Sequence, residues 1–227
     1  MNVYFVTTGL KEEVEVIKKV RPPRLLCSYW YFKNRSLREF VKDLGYTPEI
    51  MLDSGAFSAF TKGKSISLPE YMNYITVNAE AISHYISLDV IKDDFITRMY
   101  YSIMRGKGFK PIAVYHYGES IDSLRFYIEQ GEKIIALGAT VPIADKGKVA
   151  EWCKDLREQF PELQFHLLGS SSSKVLECGA LESCDSSTWY MQAVNGRPKH
   201  ITGKTREAKM ARAEANMLEI MSNIKYQ

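Results

Sequence analysis

The chain has 227 residues, 45% apolar, 25% charged and 12% aromatic, with a formal net charge of +3. That length suits one large domain with a real core, and the composition excludes disorder, collagen-like repeats and a disulfide scaffold. Cys27, Cys153, Cys178 and Cys184 form no Cys-x-x-Cys pair and have no His-x-x-x-His partner, so no zinc site is expected and the thiols read as reduced. The start, Met1-Asn2-Val3-Tyr4-Phe5-Val6, lacks a basic leader region and reaches Lys11-Glu12-Glu13 early. No apolar run approaches the roughly 20 residues of a membrane span. These features predict a cytoplasmic protein (host cytoplasm for a phage-encoded chain) with no membrane partner.

Short β-type runs alternate with helical stretches along the chain. The predicted strands are Val3–Thr7, Leu25–Ser28, Glu49–Leu52, Tyr85–Leu88, Ile112–Tyr115, Lys133–Leu137, Gln164–Leu168 and Leu181–Cys184, each ending near Gly, Asp or Ser. Between them, helical patterns cover Lys11–Lys19, Ser36–Leu44, Pro69–Ala81, Asp93–Arg105, Ser120–Gln130, Lys146–Gln159 and Ser172–Cys178, with a last helix over Thr205–Asn223. This order predicts an α/β fold, a compact (β/α)8 TIM-like barrel in a single domain spanning 1–227, with 205–223 as closing helix. A doubly wound open sheet is disfavoured because Thr7-Thr8-Gly9-Leu10 is not a GxGxxG turn.

Charge is unevenly spread. Arg197, Lys199, Lys204, Arg206, Lys209 and Arg212 face one acid, Glu207, and a second basic segment runs from Arg21 to Lys42. Two readings stay open, a polyanion-facing side and a solvated helix face.

In a barrel the active site lies at the C-terminal strand ends. Those ends read Asp53-Ser54-Gly55, Asp89, His116-Tyr117-Gly118, Gly138-Ala139, Gly169-Ser170 and Asp185-Ser186-Ser187. Asp is a poor strand residue, so its recurrence at strand mouths points to a site, with loop entry and helix capping as the structural alternative.

In sequence order these turns resemble tRNA-guanine transglycosylases. Met51 to Ser58 looks like the family's Asp-Ser-Gly-Gly-Phe motif, and Ser87-Leu88-Asp89 its base-reading aspartate. Val114 to Gly118 with Asp122 to Arg125 resembles the Val-Gln-Gly-Gly turn and the helix behind it. Ala136-Leu137-Gly138, Leu167-Leu168-Gly169 and Cys184-Asp185-Ser186-Ser187 resemble its later turns, the last carrying the nucleophile. The likeness spans roughly residues 50 to 190. Ala56 replaces a glycine, Ser58 and His116 replace glutamines, and the family's zinc cluster has no counterpart, so the chain looks most like the compact phage-type branch that inserts 7-deazaguanine bases into DNA.

The resemblance implies base exchange on nucleic acid, DNA before tRNA, with a 7-deazapurine as small-molecule substrate, no cofactor and a possible homodimer. Asp185 would be the nucleophile trapping the anomeric carbon, and Asp53 the acid/base, its carboxyl partly desolvated by Phe57. Asp89, Ser54, His116, Gly138, Ala139 and Gly169 would hold the base, while Ser170 and Ser171 would offer N–H groups to a phosphate. Arg197, Lys199, Lys204 and Arg206 would grip the nucleic acid, with Trp30 and Trp189 stacking or in the core. A glycosyl hydrolase or transferase of free nucleosides, and a binding protein without chemistry, are the other readings.

Overall fold

The computed structural model describes residues 1–169 and 172–224. Eight strands form one parallel sheet: β1 (Asn2–Thr7), β2 (Arg24–Ser28), β3 (Glu49–Asp53), β4 (His84–Tyr85), β5 (Ala113–His116), β6 (Ile134–Gly138), β7 (Gln164–Leu167) and β8 (Ser183–Ser186). Their order is β4-β3-β2-β1-β8-β7-β6-β5, so each strand pairs with its sequence neighbour and β1 meets β8. The two ends of that order meet through a single parallel bridge, Ile86 to Ile112. There the Ser87 N–H donates to Ile112 O and the Ile112 N–H to Tyr85 O, both at 2.8 Å. The fold is a TIM-like α/β barrel.

Alternation sets which way each strand faces. Tyr4, Leu26, Met51, Ile86, Ile112, Val114 and Ala136 fill the interior. Their neighbours Phe5, Leu25, Ile50 and Leu52 face one arc of helices, and Tyr115, Ile135, Leu137 and Phe165 face the other.

Helices follow the strands in turn: α1 (Lys11–Val20), α2 (Tyr29–Phe32), α3 (Leu37–Leu44), α4 (Ala56–Thr61), α5 (Leu68–Val77), α6 (Asp94–Gly106), α7 (Ile121–Glu129), α8 (Lys146–Gln159), α9 (Ser173–Leu176), α10 (Thr188–Val194) and α11 (Arg206–Ile224). Ser36, Ser67, Asp93, Ser120 and Asp145 each accept a first-turn N–H, caps of about 1 kcal/mol apiece. The helix predicted over Pro69–Ala81 is two elements, because the buried Asn78 breaks it: its side chain accepts the Leu37 N–H and donates back to Tyr74 O. No helix among the described residues is long and apolar enough to cross a membrane.

Candidate active site

The C-terminal strand ends surround a cavity of about 180 Å³. Asp53, Asp89, His116, Gly138, Ala139, Gly169 and Asp185 line it with the less expected Ser28, Tyr31, Ile91, Val141 and Pro142. Ser54 lies just behind, buried, its Oγ donating to Asp89 Oδ1 at 3.1 Å. A larger space of about 380 Å³ lies elsewhere, between α10, α11 and the start of β1, and none of these carboxylates reaches it.

Asp53 ends β3, and the turn after it requires glycine. Gly55 has φ 78° and its N–H donates to Asp53 Oδ2 at 2.9 Å. A Cβ there would stand 2.5 Å from Trp30 Cβ and 2.6 Å from Ser28 Oγ. Burial first, then the charges of Asp89 and Asp185, push the Asp53 carboxyl up to about 7; the Gly55 N–H and the nearby Ser28 hydroxyl offset this only in part. Asp53 is therefore poised to gain or lose a proton near neutrality.

His116 ends β5 between two carboxylates. Its Nε2 lies 3.0 Å from Asp89 Oδ2 and its Nδ1 2.7 Å from Glu119 Oε1, while its own N–H donates to Glu119 Oε2 at 3.2 Å. Burial lowers its pKa, but the hydrogen bonds and charges of Asp89 and Glu119 outweigh that and raise it to about 9, so the ring is an imidazolium at neutral pH. The absence of a Cβ at Gly138 makes room for it, since one would lie 2.7 Å from His116 Cδ2. Glu119 was not among the expected site residues; the His-x-x-Glu spacing was its only sequence signal.

Asp185 lies inside β8 and not beyond its end, because the strand runs two residues later than predicted. Its Oδ1 accepts the Gly169 N–H at 2.9 Å and lies 3.4 Å from Nε2 of the fully buried His166. The other ring nitrogen of His166, Nδ1, is 2.8 Å from Ser183 Oγ. His166 too was unforeseen, although it alternates with Phe165 and Leu167, which face the helices, and so points inward. Ser170 and Ser171 lie outside the described residues.

The rings divide. Phe57 is exposed and lines the cavity, whereas Tyr115 and Tyr117 pack on Trp152 of α8. Trp189 is core, its Nε1 donating to Val6 O at 3.0 Å.

The basic segment after β8 is partly consumed by the fold. Arg206 pairs with Glu15 at 2.6 Å and with Glu12 at 3.6 Å, and Lys209 with Glu12 at 2.6 Å. Arg212 is buried and donates to the carbonyls of Ala193, Ile201 and Gly203. Arg197, Lys199 and Lys204 are exposed. Among the described residues no lysine or arginine lines the cavity. Among the described residues no group of three or more His, Cys, Asp or Glu side chains is arranged to hold a metal ion.

No protein-family model and no curated protein matches the chain. Solved structures do resemble it. An aldolase of Escherichia coli K12 (YdjI) matches at TM-score 0.59 and 15% identity over 97% of this chain and 90% of its own. The tryptophan synthase α-subunit of Pyrococcus furiosus matches at TM-score 0.58 and 13% identity, over 97% of both chains. N-acetylneuraminate lyase of Fusobacterium nucleatum matches at 0.55 and 12%, over 96% of this chain and 75% of its own. At such identities the likeness carries the fold alone.

These findings overturn the transglycosylase resemblance and what hung on it: base exchange on DNA or tRNA, the 7-deazapurine substrate and the free-nucleoside alternative. No family pattern supports the six turns, and the structural neighbours are aldolases, a lyase and a synthase subunit. The physical reason is that a barrel needs small, tight turns after its strands, and Gly and Asp serve those turns whatever the chemistry.

Proposed function

We propose that the chain is an enzyme of lyase type, acting on a small molecule whose reacting end is uncharged or cationic, by proton transfer through Asp53. The single observation carrying this reading is the Asp53 carboxyl at the cavity wall, pushed up to about 7 by burial and by two neighbouring carboxylates. A group titrating there serves as base and then acid within one turnover at neutral pH. The neighbours' names support carbon–carbon chemistry on this scaffold, as an analogy of fold.

In the reaction proposed, ionised Asp53 takes the proton of a substrate hydroxyl, and the bond from the hydroxyl-bearing carbon to the carbon beside a substrate carbonyl breaks as the new carbonyl forms. The bonding pair passes to the departing fragment as its enolate, and Asp53 returns the proton to the enolate carbon. Asp89 and Asp185 present acceptors to substrate N–H or O–H groups. His116, held between Asp89 and Glu119, keeps Asp89 in place and offsets part of the negative charge. With Asp53, Asp89 and Asp185 at the wall, and no lysine or arginine there among the described residues, a carboxylate or phosphate at the reacting end would be repelled.

The test is a panel of uncharged and amino-substituted β-hydroxy ketones, scored for the carbonyl fragments released, separated as hydrazones from that of the substrate. Release is expected with the wild type, rising through about pH 7, and lost by about 100-fold or more in Asp53→Asn. Undiminished release by that variant, or a rate flat from about pH 5 to 9, would overturn the assignment.

A further inference from the structure

One arc of this cavity's rim differs in charge from its floor. The segments following β2 and β3, 29–36 and 54–67, hold Lys33, Arg35, Lys62 and Lys64 and no acidic residue. They also carry the exposed rings of Tyr31, Phe57 and Phe60, the first two at the cavity wall. Lys33 Nζ stands 4.5 Å from the Trp30 ring centre, and Lys62 Nζ 5.5 Å from Trp30 and 5.2 Å from Tyr31. Across the edge Lys92, next to the lining residue Ile91, holds its ammonium 5.9 Å from Phe60. Arg35 is occupied with Gly9 O at 2.7 Å. An ammonium over an exposed ring is held only weakly by it, so Lys62 and Lys92 remain able to meet an anion, whereas Lys33 faces a separate groove with Glu70.

We propose that this rim is a subsite for an anionic tail borne on a flat ring, an aryl phosphate or similar monoester, whose other end reaches the carboxylate floor. The proposal rests on the small-molecule reading above and names its substrate class: a molecule anionic at the rim and rich in hydrogen-bond donors at the floor. Tyr31 and Phe57 offer ring faces for stacking, and Lys62 and Lys92 supply the countercharge. The opposite orientation would set the anion against Asp53, Asp89 and Asp185.

Titration of the intact protein with phenyl phosphate, benzyl alcohol and inorganic phosphate, followed by tryptophan fluorescence, tests this. Phenyl phosphate should bind about tenfold more tightly than either of the others, an advantage that shrinks from about 0.05 M to about 0.5 M salt. The double variant Lys62→Ala/Lys92→Ala should lose about tenfold for phenyl phosphate and leave benzyl alcohol within about twofold. Equal binding of phenyl phosphate and benzyl alcohol, or an equal loss in Lys148→Ala on α8, would overturn the subsite. Binding is read without turnover, so Asp53→Asn that binds phenyl phosphate keeps the rim even if the proton-transfer reading falls. A failed titration in a protein that still releases carbonyl products overturns the rim alone.

Discussion

Asp53 carries the chemistry and also a stability cost, and both follow from one environment. Its folded pKa of about 7 lies above the ordinary carboxylate value, so between about pH 4 and pH 7 the folded chain holds a proton that the unfolded chain has released. Stability from this group is therefore fully present at acid pH and lost as pH rises to neutrality. Asp53→Asn, a neutral mimic of the protonated acid, should match the wild type near pH 4 and exceed it at pH 8. The expected gain is about 1–3 kcal/mol, below the full shift because one edge of the carboxyl meets solvent in the cavity. Urea unfolding at both pH values measures it, and a gap that does not grow with pH would refute the burial argument. The sequence placed Asp53, Asp89 and His116 at strand ends through the Gly and Asp that follow apolar runs. It left out Glu119 and His166, whose roles depend on a turn folding back and on a side chain entering the interior.

At the scale of elements, the last helix shows how a basic segment divides into surface and structure. Arg212 of α11 closes the chain between α10 and α11 by donating to three carbonyls from a buried position. Arg212→Ala should therefore cost about 3 kcal/mol or more by urea unfolding, with Lys199→Ala nearly neutral. Equal small effects of the two would mean that solvent replaces the guanidinium. The long helices were legible from apolar spacing and Ser or Asp caps. Helices α2, α4 and α10, of 4, 6 and 7 residues, were not, since each follows its strand end within a few residues and reads as part of that turn. Strand β8 begins two residues later than its apolar run suggests, because polar Ser183 and Asp185 face a polar interior beside His166.

Over the whole molecule, the weakest part of the barrel is its seam. Strands β4 and β5 meet through one bridge, whereas β2 and β3 pair over five residues. Local opening should thus begin at Ile86 and Ile112, and the amides of Ser87 and Ile112 should exchange at least about tenfold faster than those of Leu26 and Leu52. Hydrogen exchange under native conditions checks this, and uniform protection around the barrel would mean that the helices, not the ladders, close it. Alternating apolar runs, turn residues and caps were enough to determine eight strands with helices between them, because those signals act within a few residues of one another and admit few closed architectures. The site's chemistry was decided only by the tertiary structure. The proton on Asp53 depends on Asp89 and Asp185 arriving from other strands, the charge of His116 on two carboxylates around it, and the fate of Arg206 and Lys209 on acids of α1. Electrostatic energy is set by distance and burial in space, and neither is written in the local order of residues.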